Sequence, residues 1–400
     1  MGLPDLTSPR TTGGAALVAT VDLQAVSHNI EILRGYAGSA AVMAVVKADG
    51  YGHGAAPVAR AALAAGSAEL GVATIEEGLA LRAHGIDAPI TSWLHAPGAD
   101  FAAAIAADVG VSVSSSRQLR EIVDAAAVTG RTAVVNVKVD TGLARNGVAP
   151  DDWLQTREGI AKAVAEQSIS LRSVFCHLAL ADQPEHPHND LQATRLGQAC
   201  ADLERAGVRV PMRHLSNSAA TVARPDLAAD MVRPGIAVYG LSPIPQLGDY
   251  GLVPVMTLAA QVVLIKNIEA GQGVSYGHTW IAQRDTTIAL LSIGYADGLP
   301  RLASGKFSVT INGRRFPGVG RICMDQCLVD LGPDGATAVS VGDRAVVFGN
   351  AGRGEPTATE LADAIGTIDY EIVSGVRGRA VREYRGAADP GRIVIGEDVN

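Results

Sequence analysis

Ala41-Val42-Met43-Ala44-Val45-Val46-Lys47-Ala48-Asp49-Gly50-Tyr51-Gly52-His53-Gly54 is a short, wholly apolar run that meets a lysine and opens into a glycine-rich turn. The run is partly β-branched and has no polar face, which predicts a strand buried on both sides. Lys47 then stands at the carboxyl end of that strand, where open and closed α/β sheets place their chemistry. The chain has five lysines among its 33 basic residues, so a lysine here is a poor candidate for surface filler. Partial desolvation at such a place lowers an amine's pKa and leaves a nucleophile. The alternative at this point is a strand-end lysine that reaches solvent.

Outward from this segment, residues 41–240 alternate short β-like runs with Ala-rich helical stretches. Strands are predicted at 41–47, 69–74, 89–93, 108–113, 132–139, 171–176, 212–215 and 236–239. Helices are predicted at 55–66, 76–84, 115–128, 152–166 and 188–206. Eight strands with intervening helices point to a closed parallel barrel rather than an open sheet. Polar residues gather where these strands end: Lys47, Lys138, Asp140, Arg145, His177, Ser216-Asn217-Ser218 and Arg233. In a barrel they converge on one mouth.

The texture changes near Gly251. Runs at 257–268, 286–293, 307–311, 327–331 and 344–348 are β-branched, with one helix predicted at 358–365. Asn312-Gly313 between Val309-Thr310-Ile311 and Arg314-Arg315-Phe316 is a two-residue hairpin signal. The expected fold class is α/β: a flexible terminus over 1–14, an eight-stranded parallel (β/α)8 barrel over 15–250, and a mostly β carboxyl-terminal domain over 251–400. Residues 15–23 hold a strand, Leu17 to Asp22, that can pair with the β domain.

Four hundred residues, 48% of them hydrophobic, allow large cores, but with 4% aromatics those cores must be filled by Ala, Val, Leu and Ile. A net charge of −8 and the lack of a basic stripe argue against nucleic acid. Residues 1–14 lack the apolar core of a signal peptide, and no stretch is apolar enough to span a bilayer. Four cysteines, Cys176, Cys200, Cys323 and Cys327, are too few for a disulfide scaffold, so a reduced, cytoplasmic protein is expected. Cys323-Met324-Asp325-Gln326-Cys327 has no second pair for zinc and reads as buried thiols, while His186 and His188 read as surface residues. No metal site is expected.

Asn136, Lys138 and Asp140 alternate with valines and share one strand face. If that face points inward, Lys138 needs a partner or a modification, because an unpaired buried charge is expensive. A plain Lys138–Asp140 pair is the alternative. Arg145 can clamp a carboxylate in bidentate fashion. Arg233-Pro234-Gly235-Ile236 exposes backbone N–H groups suited to phosphate, and Ser218 either assists or simply caps a helix. Tyr276 and Tyr295 stand next to glycines, two of only eight tyrosines.

Together these segments resemble the alanine racemase family of pyridoxal-phosphate enzymes. The matching pieces run from Val46–Gly54 through Asp140–Arg145, His177-Leu178-Ala179, Asn217-Ser218-Ala219 and Arg233-Pro234-Gly235. They continue through Ser275–His278, Gly294–Gly298, Cys323-Met324-Asp325 and Thr367–Glu371. The resemblance implies pyridoxal 5'-phosphate as cofactor, a small amino-acid substrate, and a head-to-tail homodimer whose sites are shared. It implies interconversion of L- and D-alanine by two bases, supplying D-alanine for peptidoglycan.

Lys47 matches the lysine that holds the cofactor and serves as one base; Tyr276, from a second copy of the chain, matches the other. Arg233 matches the arginine at the pyridine nitrogen, with His177 beside it. Tyr51, Ser218, Gly235, Ile236 and Tyr370 match the phosphate binders. Arg145 and Met324 match the substrate-carboxylate contacts, and Lys138 matches a lysine that is carbamylated in some members. Asp182, Tyr295, Arg301 and Arg321 match the access corridor. Leu143-Ala144 and Cys176 depart from the family's usual Met-Gly and Thr.

His177 and Arg233, as cations, are expected to stabilise the phenolate of Tyr276, and a carbamylated Lys138 to fix Arg145. Arg233 and Tyr276 argue against a related decarboxylase, which pairs the pyridine nitrogen with an acid. Residues 251–400 argue against a single-barrel pyridoxal-phosphate carrier. A racemase of serine or another small amino acid stays open.

Overall fold

The computed structural model describes residues 15–386, so the flexible terminus expected at 1–14 lies outside them. The described residues divide into two compact units, one formed by Ala25–Val253 and the other by the described residues before Ala25 together with those from Pro254 onward.

The first strand, β1 (Leu17–Asp22), belongs to the second unit. The first unit holds eight parallel strands: β2 (Ala41–Val45), β3 (Glu69–Val72), β4 (Ile90–Ser92), β5 (Val109–Val113), β6 (Ala133–Lys138), β7 (Ile169–Phe175), β8 (Arg213–His214) and β9 (Met231–Val232). They pair in the order β8-β7-β6-β5-β4-β3-β2-β9. The ring is joined by Asp230 N donating to Arg213 O (3.1 Å) and Arg233 N donating to Ser216 O (2.9 Å). All strand carboxyl ends therefore open on one mouth.

The expected strands and helices are present, with small shifts at their ends, except for the eighth strand. It is Met231–Val232, and residues Ile236–Tyr239 form a 3-10 turn instead. Pro234 has no N–H to continue the ladder, and Gly235 (φ −109°, ψ −88°) turns the chain away. The Ile-Ala-Val-Tyr run is buried on every side, so its apolar character did not distinguish strand from turn. The helix Leu23–Ala37 was not anticipated. Helices around the ring are stopped by explicit caps. Thr74 and Glu77 form a capping box before Ile75–Ala83, and Ser115 and the left-handed Gly130 bracket Ser116–Thr129.

The second unit is β-rich. It contains β10 (Met256–Ile268), the short pair β11 (Gly273–Val274) and β12 (Trp280–Ile281), and β13 (Thr286–Leu291). After them come β14 (Ser308–Ile311), β15 (Arg314–Val319), β16 (Cys327–Gly332), β17 (Arg344–Phe348) and β18 (Val381–Arg385). Six of these pair in the cycle β10-β13-β16-β15-β14-β17, and β10 closes it. The long β10 also pairs antiparallel with β1, which pairs parallel with β18. The expected hairpin is observed: Ile311 pairs with Arg314 around Asn312 (φ 49°) and Gly313 (φ 77°).

At Gly313 a Cβ would meet nothing within 4 Å, so Gly313→Ala carries backbone strain alone. The expected cost is about 1 kcal/mol. At Gly318 an added Cβ would lie 2.1 Å from the Phe307 ring. Urea unfolding should therefore rank Gly318→Ala as clearly more destabilising than Gly313→Ala; equal midpoints would contradict this account of the hairpin.

Candidate active site

Lys47 begins one left-handed turn, in which Ala48, Asp49, Gly50 and Tyr51 have φ of 53°, 50°, 62° and 52°. Three of the four are not glycine, and each such residue costs about 1–2 kcal/mol. Side chains hold the turn in place. Glu77 accepts from Ala48 N (2.7 Å) and Ala73 N (2.7 Å), and Asp49 accepts from Ala55 N (2.9 Å). Tyr239 donates to Val45 O (3.0 Å), and its ring lies 4.8 Å from that of Tyr51. The Lys47 ammonium lies 5.9 Å from the Tyr51 ring centroid. Burial, and then the nearby Arg145 guanidinium, lower its pKa against the opposing pull of Glu77.

Arg233 is 6% exposed and makes no ion pair among the described residues. Its Nη1 donates to His214 Nδ1 (2.9 Å), and its Nη2 to Cys176 O (2.7 Å) and Leu215 O (3.4 Å). Burial brings its pKa down to about 10. Lys138 is 4% exposed, with its ammonium 5.8 Å from the Phe175 ring. Burial, then Arg233, Arg145 and Lys47, bring its pKa down to about 8. The plain Lys138–Asp140 pair is not what forms: Asp140 accepts from Gly142 N (3.0 Å) and Ala144 N (3.1 Å). Arg145 follows this turn and is exposed.

His177 corrects an expectation. Burial, then Arg233, hold its pKa well below the ordinary histidine value, so it is neutral at pH 7 and supplies no cation for a phenolate. For Ser218, the capping alternative is not what forms. The cap of helix Ser218–Ala223 is Asn217, which accepts from Ala220 N (3.1 Å). The Ser218 hydroxyl instead accepts from Gly235 N (2.8 Å) and Ala237 N (3.3 Å). A Cβ on Gly235 would meet the Tyr51 hydroxyl at 2.3 Å. Tyr51, Ser218 and Gly235 are thus brought together, with the Tyr51 hydroxyl where a side chain on residue 235 would lie.

On the β unit, Ser275 Oγ donates to Arg321 O (2.7 Å), while Tyr295 N and Ala296 N donate to Cys323 O and Met324 O (3.0 Å each). These bonds gather Tyr276, Tyr295, Arg321 and Met324 on one loop cluster. Tyr276 and Met324 are 68% and 53% exposed. Tyr370 is half-buried on helix Asp369–Ser374, and Arg301 is exposed. On the barrel unit Asp182 is exposed, as is His186, while His188 is half-buried with Nε2 3.3 Å from Gly142 O. Cys327 is buried and Cys323 half-buried. Sequence reasoning missed Glu77, His214 and Tyr239. Only the sequence polarity of Glu77 and His214, within a helix start and a strand, marked them at all.

Three histidines make the fold acid-sensitive. Burial lowers His95 to about 4 and holds His177 and His214 well below 6.5. A lowered folded-state pKa means the unfolded chain takes up protons first, so stability falls as pH drops below about 6.5. Each histidine contributes a slope of up to about 1.4 kcal/mol per pH unit. The urea midpoint should be lower at pH 5.5 than at pH 7.5; an unchanged midpoint would contradict the assignment of these rings as buried and neutral.

Comparison with known proteins agrees with this geometry. The alanine racemase N-terminal domain family matches residues 21–243 and the alanine racemase C-terminal domain family matches 255–384. The alanine racemase of Mycobacterium ulcerans is 59% identical over 376 residues, 94% of this chain and 97% of its own. That of Mycolicibacterium smegmatis is 56% identical, covering 95% and 97%. Among solved structures, the alanine racemase of Streptomyces lavendulae superposes with a TM-score of 0.91 at 47% identity, covering 94% of this chain and 98% of that one. The Bacillus anthracis enzyme with bound L-Ala-P gives 0.86 at 31% identity, covering 96% and 98%. The chain belongs to the alanine racemase family.

Proposed function

We propose that the chain interconverts L- and D-alanine with pyridoxal 5'-phosphate, using Lys47 and, from a second copy of the chain, Tyr276 as the two bases. The observation that carries this is the barrel-mouth arrangement: a desolvated lysine on a held turn, a buried arginine with no acidic partner among the described residues, and the Tyr51 and Ser218 hydroxyls gathered against Gly235. These residues fit the cofactor. The Tyr51 and Ser218 hydroxyls suit its phosphate, and two Arg233 donors, Nε–H and one on Nη1, are left for a pyridine nitrogen. Bound there, pyridoxal phosphate supplies the electron withdrawal that makes an amino acid's α-proton acidic.

Lys47 Nζ holds the cofactor, then accepts or returns the proton on one face. Its lowered pKa leaves more free amine to do so. Tyr276 Oη does the same on the other face, and its exposure in the single chain leaves it free to complete a neighbour's site. Arg233 is donor-only and stays protonated at neutral pH, so it hydrogen-bonds a ring nitrogen without giving up a proton. That weakens the electron sink and disfavours transamination. Arg145 binds the substrate carboxylate, with Met324 of the second copy. Tyr370 joins the phosphate binders, and Asp182, Tyr295, Arg301 and Arg321 line the approach.

A pKa near 8 gives Lys138 enough free amine to take up carbon dioxide. The resulting carbamate would place an anion among Arg233, Arg145 and Lys47. The relatives named alanine racemase support alanine as the substrate, and assays of alanine against serine and lysine test that reading. If serine were turned over as fast as alanine, that reading would fail.

Lys47→Ala should lose nearly all racemisation and the visible absorbance and borohydride trapping of lysine-bound cofactor. Cofactor still trapped in this variant would make Lys138 the anchor. Lys138→Ala should instead keep the trapped cofactor, raise KM for alanine and be partly rescued by chloride. Absence of any anion rescue would exclude the carbamate.

Lys47→Ala and Tyr276→Phe homodimers should each be nearly dead. If a site takes one residue from each copy, a mixed dimer has one intact site and one doubly defective site. Random exchange makes about half the dimers mixed, so activity should return to roughly a quarter of wild type. No recovery, with exchange verified by mixing wild type and the double variant, would mean both residues come from one chain.

A further inference from the structure

A line of buried polar side chains runs from strand to strand across the barrel. Arg233 Nη1 can only donate, so His214 Nδ1 must accept (2.9 Å), and the ring's proton sits on Nε2. That Nε2–H donates to Ser173 Oγ (2.7 Å), and Ser173 donates to Asn136 Oδ1 (2.6 Å). Asn136 Nδ2 donates to Thr91 Oγ1 (3.2 Å), and Thr91 donates to Glu69 Oε1 (2.5 Å). Glu69 is 1% exposed, and its Oε2 accepts from Arg172 Nε (3.0 Å) and Nη2 (2.5 Å).

Five hydrogen bonds therefore run in one sense, from a guanidinium to a carboxylate. Donor counting admits no reversal. The single Thr91 proton is taken by Glu69, so the Asn136 amide must present its nitrogen to Thr91 and its oxygen to Ser173. The path is built into the strands. Glu69 opens β3, Thr91 lies in β4, Asn136 in β6, Ser173 in β7, and His214 ends β8. Between β4 and β6 it passes β5 at Gly110, where a Cβ would come within 3.3 Å of Asn136 Nδ2 and 3.5 Å of Thr91 Oγ1. The His214 ring is clamped flat on Phe175, with centroids 4.9 Å apart and planes 2° from parallel.

We propose that Glu69, Thr91, Asn136, Ser173 and His214 are positioning residues for Arg233. Their one-way relay keeps the His214 ring neutral, with its proton on Nε2 and its Nδ1 lone pair toward the guanidinium. The alternative tautomer would set a donor against a donor and push Arg233 out of place. With His214, Cys176 O and Leu215 O taking three of the five guanidinium protons, Arg233 keeps two for the cofactor's ring nitrogen. A relay ending on a carboxylate also offsets a buried charge that lacks an ion-pair partner. Burial holds His214 well below the ordinary histidine pKa, in agreement with a neutral ring. The proposal rests on the reading of Arg233 as the ring-nitrogen partner.

The test uses the full chain labelled with 15N-histidine, cofactor-free and cofactor-loaded, with His214→Gln identifying one resonance pair among nine histidines. The wild type should show Nε2 protonated and Nδ1 bare from pH 6 to 8. Ser173→Ala removes the Nε2–H acceptor and should give a mixture of tautomers. Thr91→Val, close to isosteric, breaks the same line nearer Glu69 and serves if Ser173→Ala does not fold. In the stripped protein, affinity for pyridoxal phosphate should weaken about five-fold in either variant, the effect of one lost hydrogen bond. The ratio of racemisation to transamination should fall by a similar factor. Ser112→Ala, which removes a buried hydroxyl bonded to Ser92 O outside the relay, should change none of these. A wild-type His214 protonated on Nδ1 or on both nitrogens would overturn the proposal. So would an unchanged tautomer and affinity in the relay variants. A chain that bound no pyridoxal phosphate would refute the functional reading instead, while the cofactor-free tautomer would still decide the relay.

Discussion

A guanidinium enclosed in protein, with no carboxylate paired to it among the described residues, is the constraint on which the barrel mouth depends. Arg233 must find acceptors or be expelled, and the acceptors it finds are the Cys176 and Leu215 carbonyls and one imidazole nitrogen. Those groups come from the ends of neighbouring strands, held in register by the parallel pairing of Phe175 with His214. The closing backbone bond from Arg233 N to Ser216 O then fixes the arginine's own origin. With Lys138 and Lys47 nearby, the mouth is an array of cations. Burial lowers the pKa of both lysines, and Arg145 at Lys47, and Arg233, Arg145 and Lys47 at Lys138, lower it further, which poises them to act as amines.

The second constraint is conformational. Strand β2 could deliver a lysine to the mouth with an ordinary turn, yet the chain goes through a left-handed turn with three non-glycine residues. Such strain persists only where the surroundings over-determine it. Glu77, Asp49 and Tyr239 do that here, and Glu77 also completes the capping box of helix Ile75–Ala83, so one carboxylate ties the turn to the ring of helices.

The sequence revealed the parts whose physics is local. Apolar runs located seven of the eight barrel strands, and Asn312-Gly313 located its hairpin. Lys47, Lys138 and Arg233 stood out because charged residues beside buried strands require a reason. The eighth strand was misplaced because a two-residue strand carries almost no pattern, and the apolar 3-10 turn that follows imitates one. His177 was taken as a cation because its burial, which decides its charge, is a property of the assembled mouth. Whether Ser218 caps a helix stayed open in the sequence, since the donors it meets, Gly235 N and Ala237 N, are brought to it only by the fold. The line from Glu69 to His214 joins residues from five strands, spread over more than a hundred positions, and no spacing rule links them.

The strand Leu17–Asp22 has a consequence for synthesis. It is made first, but its two neighbours are Met256–Ile268 and Val381–Arg385. A growing chain carries this strand, with Leu17, Val18, Ala19 and Val21 destined for burial, through production of the whole barrel before either edge has a partner. The barrel unit, contiguous from Ala25 to Val253, needs nothing from beyond that range to close its ring. Vectorial folding thus has a natural order, barrel first, and a natural hazard, an apolar edge waiting for the last strand to leave the ribosome.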